Sequence, residues 1–366
     1  MTYRIPLVVN SWGPEERATA RAVIDSDRHT MGVHVRKFEE AFAQLVEAKH
    51  AVMVTSGSSA LELAAYWYTE HLGQNTVVIP AVTWPTTVWP FIRAGCKVIL
   101  ADVDPETLLM QHGEHYGFCH VPVHLMGNRC EITEKMRIIE DSCEAIQPVR
   151  GTIACYSMFF SHHLNTVEGG VVCTNDDHVA DWLRSARAHG WIRDCSPAYK
   201  AQIKAAHAGH EKIDERFLFE NMGWNMKPTE LAAAIGIIQL GKLKANMEAR
   251  LHAYLYMAEG LASLANQIQP MRLVSNPAPF AFPLICRDAA TKARLVAGLE
   301  GGQSIETRPI AGGNLARQPA FRRYRDKWTA GELPGANKVH DCGFFVGLYP
   351  GMDCDYMVES IRKILA

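Results

Sequence analysis

Four short runs of this 366-residue chain carry residue types that can do chemistry. Ser56-Gly57-Ser58-Ser59-Ala60 stands between a β-prone run and a helical one. Small side chains there let backbone N–H groups approach a phosphate, and a helix N-terminus adds partial positive charge. The same run also reads as an ordinary Ser-rich helix cap. Glu140-Asp141-Ser142-Cys143-Glu144 follows the apolar pair Ile138-Ile139. That puts an acid at the carboxyl end of a strand, where open α/β sheets hold ligands; a helix-capping aspartate has the same local pattern. Ser161-His162-His163 leads into Glu168-Gly169-Gly170, which reads as a tight turn before a strand. An imidazole moves protons near neutral pH, although a hydrogen-bonded structural His is the commoner use. Adjacent His side chains rarely converge on one metal, and no metal site is expected. Trp84, after the strand end at Pro80, can pack in a core or stack on a flat ring.

Positioning these groups requires an alternation of strands and helices. Strands are predicted over Ala51 to Thr55, Val77 to Ile79, Lys97 to Ala101, Val121 to Leu125, Arg137 to Glu140, Ile153 to Met158 and Val171 to Thr174. Helices are predicted over Phe38 to Glu47, with Phe38, Phe42, Leu45 and Val46 on the buried face, over Ala60 to His71, and over Thr86 to Ala94 despite Pro90. Strands separated by helices imply a mostly parallel sheet covered on both faces. Ala232 to Leu243 is apolar and turns charged from Lys244 to Arg250, as in one long helix leaving a core. Beyond it, helical runs mix with the strand-like Ala281 to Ile285. The division expected is a large domain over 1–248 and a smaller α+β domain over 249–366.

Composition narrows the function classes. Lys+Arg 37 against Asp+Glu 39 gives a net charge of −2, so nucleic-acid binding driven by bulk charge is not expected. No apolar run reaches the roughly 18 residues that span a bilayer. The ten cysteines are scattered without Cys-x-x-Cys spacing, which argues for buried thiols in a reducing cytoplasm.

The order of these pieces is more specific than any one of them, and it resembles the DegT/DnrJ/EryC1/StrS sugar aminotransferases. Pro122-Val123-His124-Leu125-Met126-Gly127 is similar to the family's PVHLYG, and Asn221 to Glu230 to its GYNYRMTE. Glu306-Thr307-Arg308-Pro309-Ile310 and Gly313-Asn314-Leu315-Ala316-Arg317-Gln318-Pro319 resemble its C-terminal substrate region. The resemblance implies the aspartate aminotransferase-like fold of pyridoxal-phosphate enzymes (fold type I), with a seven-stranded type of sheet. In the pattern S-F-x-x-x-K-N the family's cofactor-linking Lys is replaced here by His162. Imidazole has no primary amine and cannot join the cofactor covalently. That replacement resembles the family's 3-dehydratase branch, as does His162-His163 before Val167-Glu168-Gly169-Gly170, where the branch has His-His before Gly-Glu-Gly-Gly. A second dehydratase branch carries an iron–sulfur cluster on a Cys-x-Cys step, which is absent here.

The resemblance implies pyridoxal or pyridoxamine 5′-phosphate, bound non-covalently. Gly57, Ser58, Ser59 and Ser157 would hold its phosphate, with Asn225 reaching in from a partner subunit of a homodimer. Asp141 would face the pyridine nitrogen, Trp84 the ring, and Glu144 the ring's hydroxyl edge. His162 would be the acid/base of a dehydration at C3 of a nucleotide-activated 4-keto-6-deoxy sugar, with glutamate restoring the amine. Arg308, Arg317 and Asn314 are the expected substrate contacts. Two other outcomes remain open: transamination with His162 as base, or a family member without catalysis. The stretches from Asp104 to Val121 and from Gly127 to Glu140 are short for the family, which puts a crossover helix there in doubt.

Overall fold

The computed structural model describes residues 3–73, 75–111, 117–132, 137–207, 213–274 and 276–366. Its strands are β1 (His50–Val54), β2 (Thr76–Pro80), β3 (Lys97–Ala101), β4 (Cys119–His120), β5 (Arg137–Asp141), β6 (Ile153–Ser157), β7 (Gly170–Thr174), β8 (Ile268–Pro270), β9 (Ala281–Cys286), β10 (Thr307–Arg308), β11 (Trp328–Ala330) and β12 (Gly343–Gly347). Eight of them form one sheet in the order β1-β7-β6-β5-β4-β2-β3-β11. Neighbours from β6 to β11 run parallel, while β7 is antiparallel to both β1 and β6. The strands read as near-continuous apolar runs because both faces are covered; β6 and β7 are buried throughout. A second, antiparallel sheet has the order β10-β12-β9-β8.

Six of the first seven strands fall where the sequence places them, and an eighth comes from far along the chain. Trp328–Ala330 pairs in parallel with β3, so the 1–248 and 249–366 parts of the sequence share one sheet. Two expected elements differ. The strand predicted over Val121 to Leu125 does not form; the two-residue β4 lies just before it. Pro122 lacks an N–H, and the chain turns through a 3₁₀ turn at Leu125–Gly127, leaving a single bridge from Val123 to Asp141. The helix predicted over Thr86 to Ala94 is split into a 3₁₀ turn at Pro85–Thr87 and a short α-helix at Trp89–Arg93. Pro90 is tolerated because it lies in the first turn of the new helix, where its missing N–H has no partner to lose. Between β3 and β5 no helix longer than a 3₁₀ turn occurs among the described residues; parts of both short stretches, 112–116 and 133–136, lie outside them.

The helices that matter to the site, in chain order, are α1 (Pro14–Asp25), α2 (Val33–Leu45), α3 (Gly57–Leu72) and, later in the chain, α4 (Glu230–Gly260). α2 starts before the predicted Phe38, and Val35 joins its buried face; Phe38, Phe42 and, just past the helix, Val46 are buried as expected, but Leu45 is exposed. The long apolar-to-charged helix is α4, of 31 residues. Its first residue, Glu230, is buried, and its carboxylate accepts from the N–H groups of Gly32, His34 and Val35 at 2.8–2.9 Å. One carboxylate thereby closes the N-terminus of α2, where negative charge is favoured.

Glu230→Ala should unseat α2 from α4 and cost about 2 kcal/mol of stability, the scale of a lost charged cap. Reversible denaturation of the variant checks this; an unchanged midpoint would remove the capping role.

Candidate active site

The carboxyl ends of β1, β5 and β6 and the N-terminus of α3 converge on a cavity of about 300 Å³. Its lining includes Gly57, Ser58, Trp84, Asp141, Cys143, Glu144, Ser157, His162, Glu168, Phe280 and Arg308. This is the placement expected of ligand sites in open α/β sheets. Eight of the twelve residues singled out from the sequence are thus brought together. The other four stand outside the lining. Ser59 Oγ is engaged by Thr55 and Ser56 hydroxyls at 2.8 and 2.9 Å. Asn314 is buried, caps the turn at Leu315–Arg317 and donates to Asn337 at 2.9 Å. Arg317 pairs with Asp341 at 2.8 Å on the surface. Asn225 Oδ1 accepts from Lys227, away from this chain's own cavity.

The phosphate cradle follows from close packing. Ser56 caps α3 by accepting from Ser59 N–H at 3.0 Å. Gly57, the first helical residue, lies so near β6 that a Cβ would stand 2.7 Å from Cys143 Sγ and 2.8 Å from Ser157 Cβ. Only glycine lets the helix end reach the strand ends. Ser58 and Ser157 bring hydroxyls to the same edge, and Ser58 Oγ donates to Thr86 at 3.0 Å. Helix dipole, backbone N–H groups and hydroxyls together suit a phosphate group.

Asp141 ends β5, nearly buried. Thr87 Oγ1 donates to its Oδ2 at 2.7 Å and Cys143 N–H to its Oδ1 at 3.1 Å. Thr87 is itself 2.8 Å from the Thr83 hydroxyl. Both direct partners are uncharged, so the carboxylate is oriented and left to meet a cation arriving in the cavity. Trp84, between the two threonines in sequence, is 61% exposed, which leaves its ring open to stacking. Next to Asp141, Glu140 points the other way. It accepts from His124 Nε2 at 3.0 Å and from the N–H groups of Arg150 and Gly151 at 2.7 and 2.6 Å. Burial works against its charge, but these donors win and hold it below the usual carboxylate range. It anchors His124, the residue that opens the turn at Leu125–Gly127.

Glu144 and His162 form the opposite wall. Glu144 accepts from Met126 N–H at 2.7 Å, yet burial, with the Asp141 charge, pushes it up to about 7. His162 sits in a loop closed by hydrogen bonds from Met158 N to Gly169 O (2.9 Å) and Phe160 N to Val167 O (3.1 Å). Edge-on rings of Phe159 and Phe280 flank it at 5.7 and 5.5 Å, and its Nδ1 is buried without a partner among the described residues. Burial, and then the Arg250 charge, pushes it down to about 4. An uncharged imidazole on the cavity lining can accept a proton at whichever ring nitrogen is bare. No cluster of metal-ligating side chains occurs among the described residues. Sequence reasoning missed Thr83, Thr87 and Phe280. The i, i+4 threonine pair carries no sign of its carboxylate, and Phe280 comes from 118 positions downstream of His162.

The cradle at Gly57, the carboxylate with uncharged partners and the exposed indole fit a phosphorylated pyridine. Glu144 and His162 also give opposite pH dependence to stability. His162, lower in the folded state than its ordinary 6.5, costs stability as pH falls from 6.5 towards about 4. Glu144, higher than its ordinary 4.5, costs stability as pH rises from 4.5 to about 7. Glu144→Gln removes only the second effect. The variant should therefore gain on the wild type as pH rises through that window, measured by thermal denaturation of the cofactor-free protein; a constant difference would discard the Glu144 assignment.

Comparison with known proteins agrees with this geometry. The family model described as the DegT/DnrJ/EryC1/StrS aminotransferase family matches residues 10–364. A protein of Yersinia pseudotuberculosis named GDP-4-keto-6-deoxy-D-mannose 3-dehydratase is 33% identical, over 98% of both chains. The E. coli GDP-4-keto-6-deoxy-D-mannose-3-dehydratase, solved with bound hydrated PLP, superposes with a TM-score of 0.88 at 26% identity over 100% of both chains. A further structure of a GDP-4-keto-6-deoxymannose-3-dehydratase, with a trapped PLP-glutamate geminal diamine, gives 0.87 at 26% identity, over 99% of this chain and 100% of that one. The match spans both sheets and the cavity between them, and the chain belongs to the DegT/DnrJ/EryC1/StrS aminotransferase family.

Proposed function

We propose that this chain is a pyridoxal/pyridoxamine-phosphate-dependent lyase that removes the C3 hydroxyl of a nucleotide-activated 4-keto-6-deoxy sugar. The observation that carries the reading is His162. At the wall position where the family's pattern has a cofactor-linking Lys stands an imidazole that cannot make that bond, with its Nδ1 unpartnered. Two relatives of full length and bearing the 3-dehydratase name support it.

Bound in the cavity, the cofactor supplies an amine to engage the C4 ketone and a ring that draws off electron density. The chain's residues do the rest. The α3 N-terminus with Ser58 and Ser157 holds the phosphate, Trp84 covers a ring face, and Asp141 keeps a proton on the ring nitrogen. Glu144 lies toward the hydroxyl edge. His162, uncharged at neutral pH, takes a proton from the cofactor's C4′ carbon and hands one to the departing C3 oxygen. General acid–base help of this kind is worth roughly 10²–10⁴-fold. Without an amine on the wall, nothing in the protein displaces the substrate before elimination. Arg308, which lines the cavity, takes a carboxylate or phosphate oxygen, since guanidinium binds either bidentately. Glutamate restores the amine form; the relative trapped with glutamate supports this.

Part of the same reading is a homodimer in which Asn225, outside its own cavity, completes the phosphate site of the partner. Arg317 and Asn314 shape the rim near Arg308, and the 1–248 part carries the cofactor while the 249–366 part closes over substrate. No helix among the described residues is long and apolar enough to cross a membrane. A reducing cytoplasm is part of the same reading, from the scattered spacing of the ten cysteines.

Purified protein given pyridoxamine phosphate, glutamate and a panel of nucleotide 4-keto-6-deoxy sugars should release ammonia and a 3-deoxy-4-keto sugar, seen by mass spectrometry. An amino sugar as the main product would instead establish transamination. His162→Asn should lower turnover by about 10²-fold or more while cofactor still binds, and Asp141→Ala should abolish it. Near-normal rates in either variant would withdraw that residue's role.

A further inference from the structure

Behind the cavity wall lies a line of buried polar groups that the reaction scheme does not use. Arg250, near the middle of α4 and 9% exposed, donates from Nη1 to His163 Nδ1 at 3.0 Å. His163 Nε2 is 3.0 Å from the carbonyl oxygen of Ala278. A guanidinium only donates and a carbonyl only accepts, so the His163 tautomer is settled: bare Nδ1, protonated Nε2. His163 is therefore uncharged, and the positive charge of the pair stays on Arg250. Burial, followed by the Arg250 charge, keeps His163 far below its ordinary range.

The line also sets where the wall stands. Ala278 N–H donates to Gly127 O at 2.9 Å and Phe280 N–H to Met126 O at 3.3 Å. Gly127 has φ +85°, and a Cβ there would lie 1.7 Å from Ala278 O. Phe280, two residues on, presents its ring to both His162 and His163. One cation on α4 thus fixes the imidazole next to His162 and, through Ala278, the aromatic ring against it.

We propose that Arg250 is a positioning residue for the proton transfer: anchored on His163, it seats the His162 loop against Phe280 and keeps a second positive charge off that loop, so that His162 meets the cavity as an uncharged base. This rests on the reading of His162 as the proton carrier. The other charged groups facing His162 come from different elements: Glu144 and Asp141 from the end of β5, Glu168 ahead of β7, and Arg308 from β10, all on the same cavity. The acids favour a proton on His162 and Arg308 opposes it. Arg250 adds to that opposition from the dry side of the wall, where charge is least screened.

The test is a pH titration of the full-length protein labelled with ¹³C-histidine, followed by NMR, with the His162 signal assigned by its loss in His162→Asn. In the wild type, His162 should stay uncharged to well below its ordinary 6.5. Arg250→Gln, which keeps a donor for His163 but no charge, should raise the midpoint by about one pH unit, a tenfold change in protonation. Arg250→Lys should restore the wild-type midpoint. The acid limb of kcat/KM should move with it in the glutamine variant. Equal midpoints in wild type and Arg250→Gln overturn the proposal, as does a titration shift without the matching movement of the acid limb. If the glutamine variant does not fold, a wild-type midpoint at or above 6.5 overturns it alone, and a low one restored in Arg250→Lys upholds it. The titration needs no substrate, so its failure leaves the lyase reading standing, and failure of the product test leaves the titration readable.

Discussion

A carboxylate held by uncharged donors at the end of a parallel strand is the constraint around which the rest of the site is arranged. Asp141 has the Thr87 hydroxyl on one oxygen and the Cys143 N–H on the other. Those bonds orient it without neutralising it. A buried negative charge is costly unless a positive one comes to meet it. A protonated ring nitrogen would answer that need, and the α3 N-terminus on the same cavity would suit a phosphate. The cavity thus offers two binding features of opposite sign, which a flat phosphorylated pyridine with a protonated nitrogen would fit.

Two titratable groups on the cavity lining are shifted in opposite directions. Burial pushes Glu144 up to about 7 and His162 down to about 4, so the carboxylic acid and the imidazole are both biased toward their uncharged forms near neutral pH. The shared cause is the dryness of the wall, lined by Phe159, Phe280 and Met126. A base of low proton affinity has a strong conjugate acid. That would favour release of a proton to a leaving oxygen, while uptake of a proton would have to work against the same burial.

Much of this layout is legible in the sequence because it rests on local chemistry. Apolar runs broken by Gly, Pro and Ser place β1, β2, β3, β5, β6 and β7. The Ser-Gly-Ser-Ser run after β1 and the acid after Ile139 announce the two ends of the cavity, and His162 in place of a lysine selects the reaction. Errors arose where neighbouring rules compete. Pro122 and a left-handed Met126 ended a strand that hydropathy alone would extend. Pro90 divided a helix that periodicity would keep whole. Leu45, expected in the core beside Val46, is exposed at the last residue of α2.

What the chain's order could not tell was which distant residues meet. Thr87 reaches Asp141 across 54 positions, Arg250 reaches His163 across 87, and Phe280 faces His162 from the segment leading into β9. The pairing of β11 with β3 likewise has no local signal. Residue types and short-range spacing determined the chemistry on offer, since a proton carrier, a phosphate cradle and an acid are each specified within a few positions. Only the tertiary structure decided the protonation of the base and the orientation of the acid. Both depend on burial and on partners that packing, rather than sequence proximity, brings within hydrogen-bond reach.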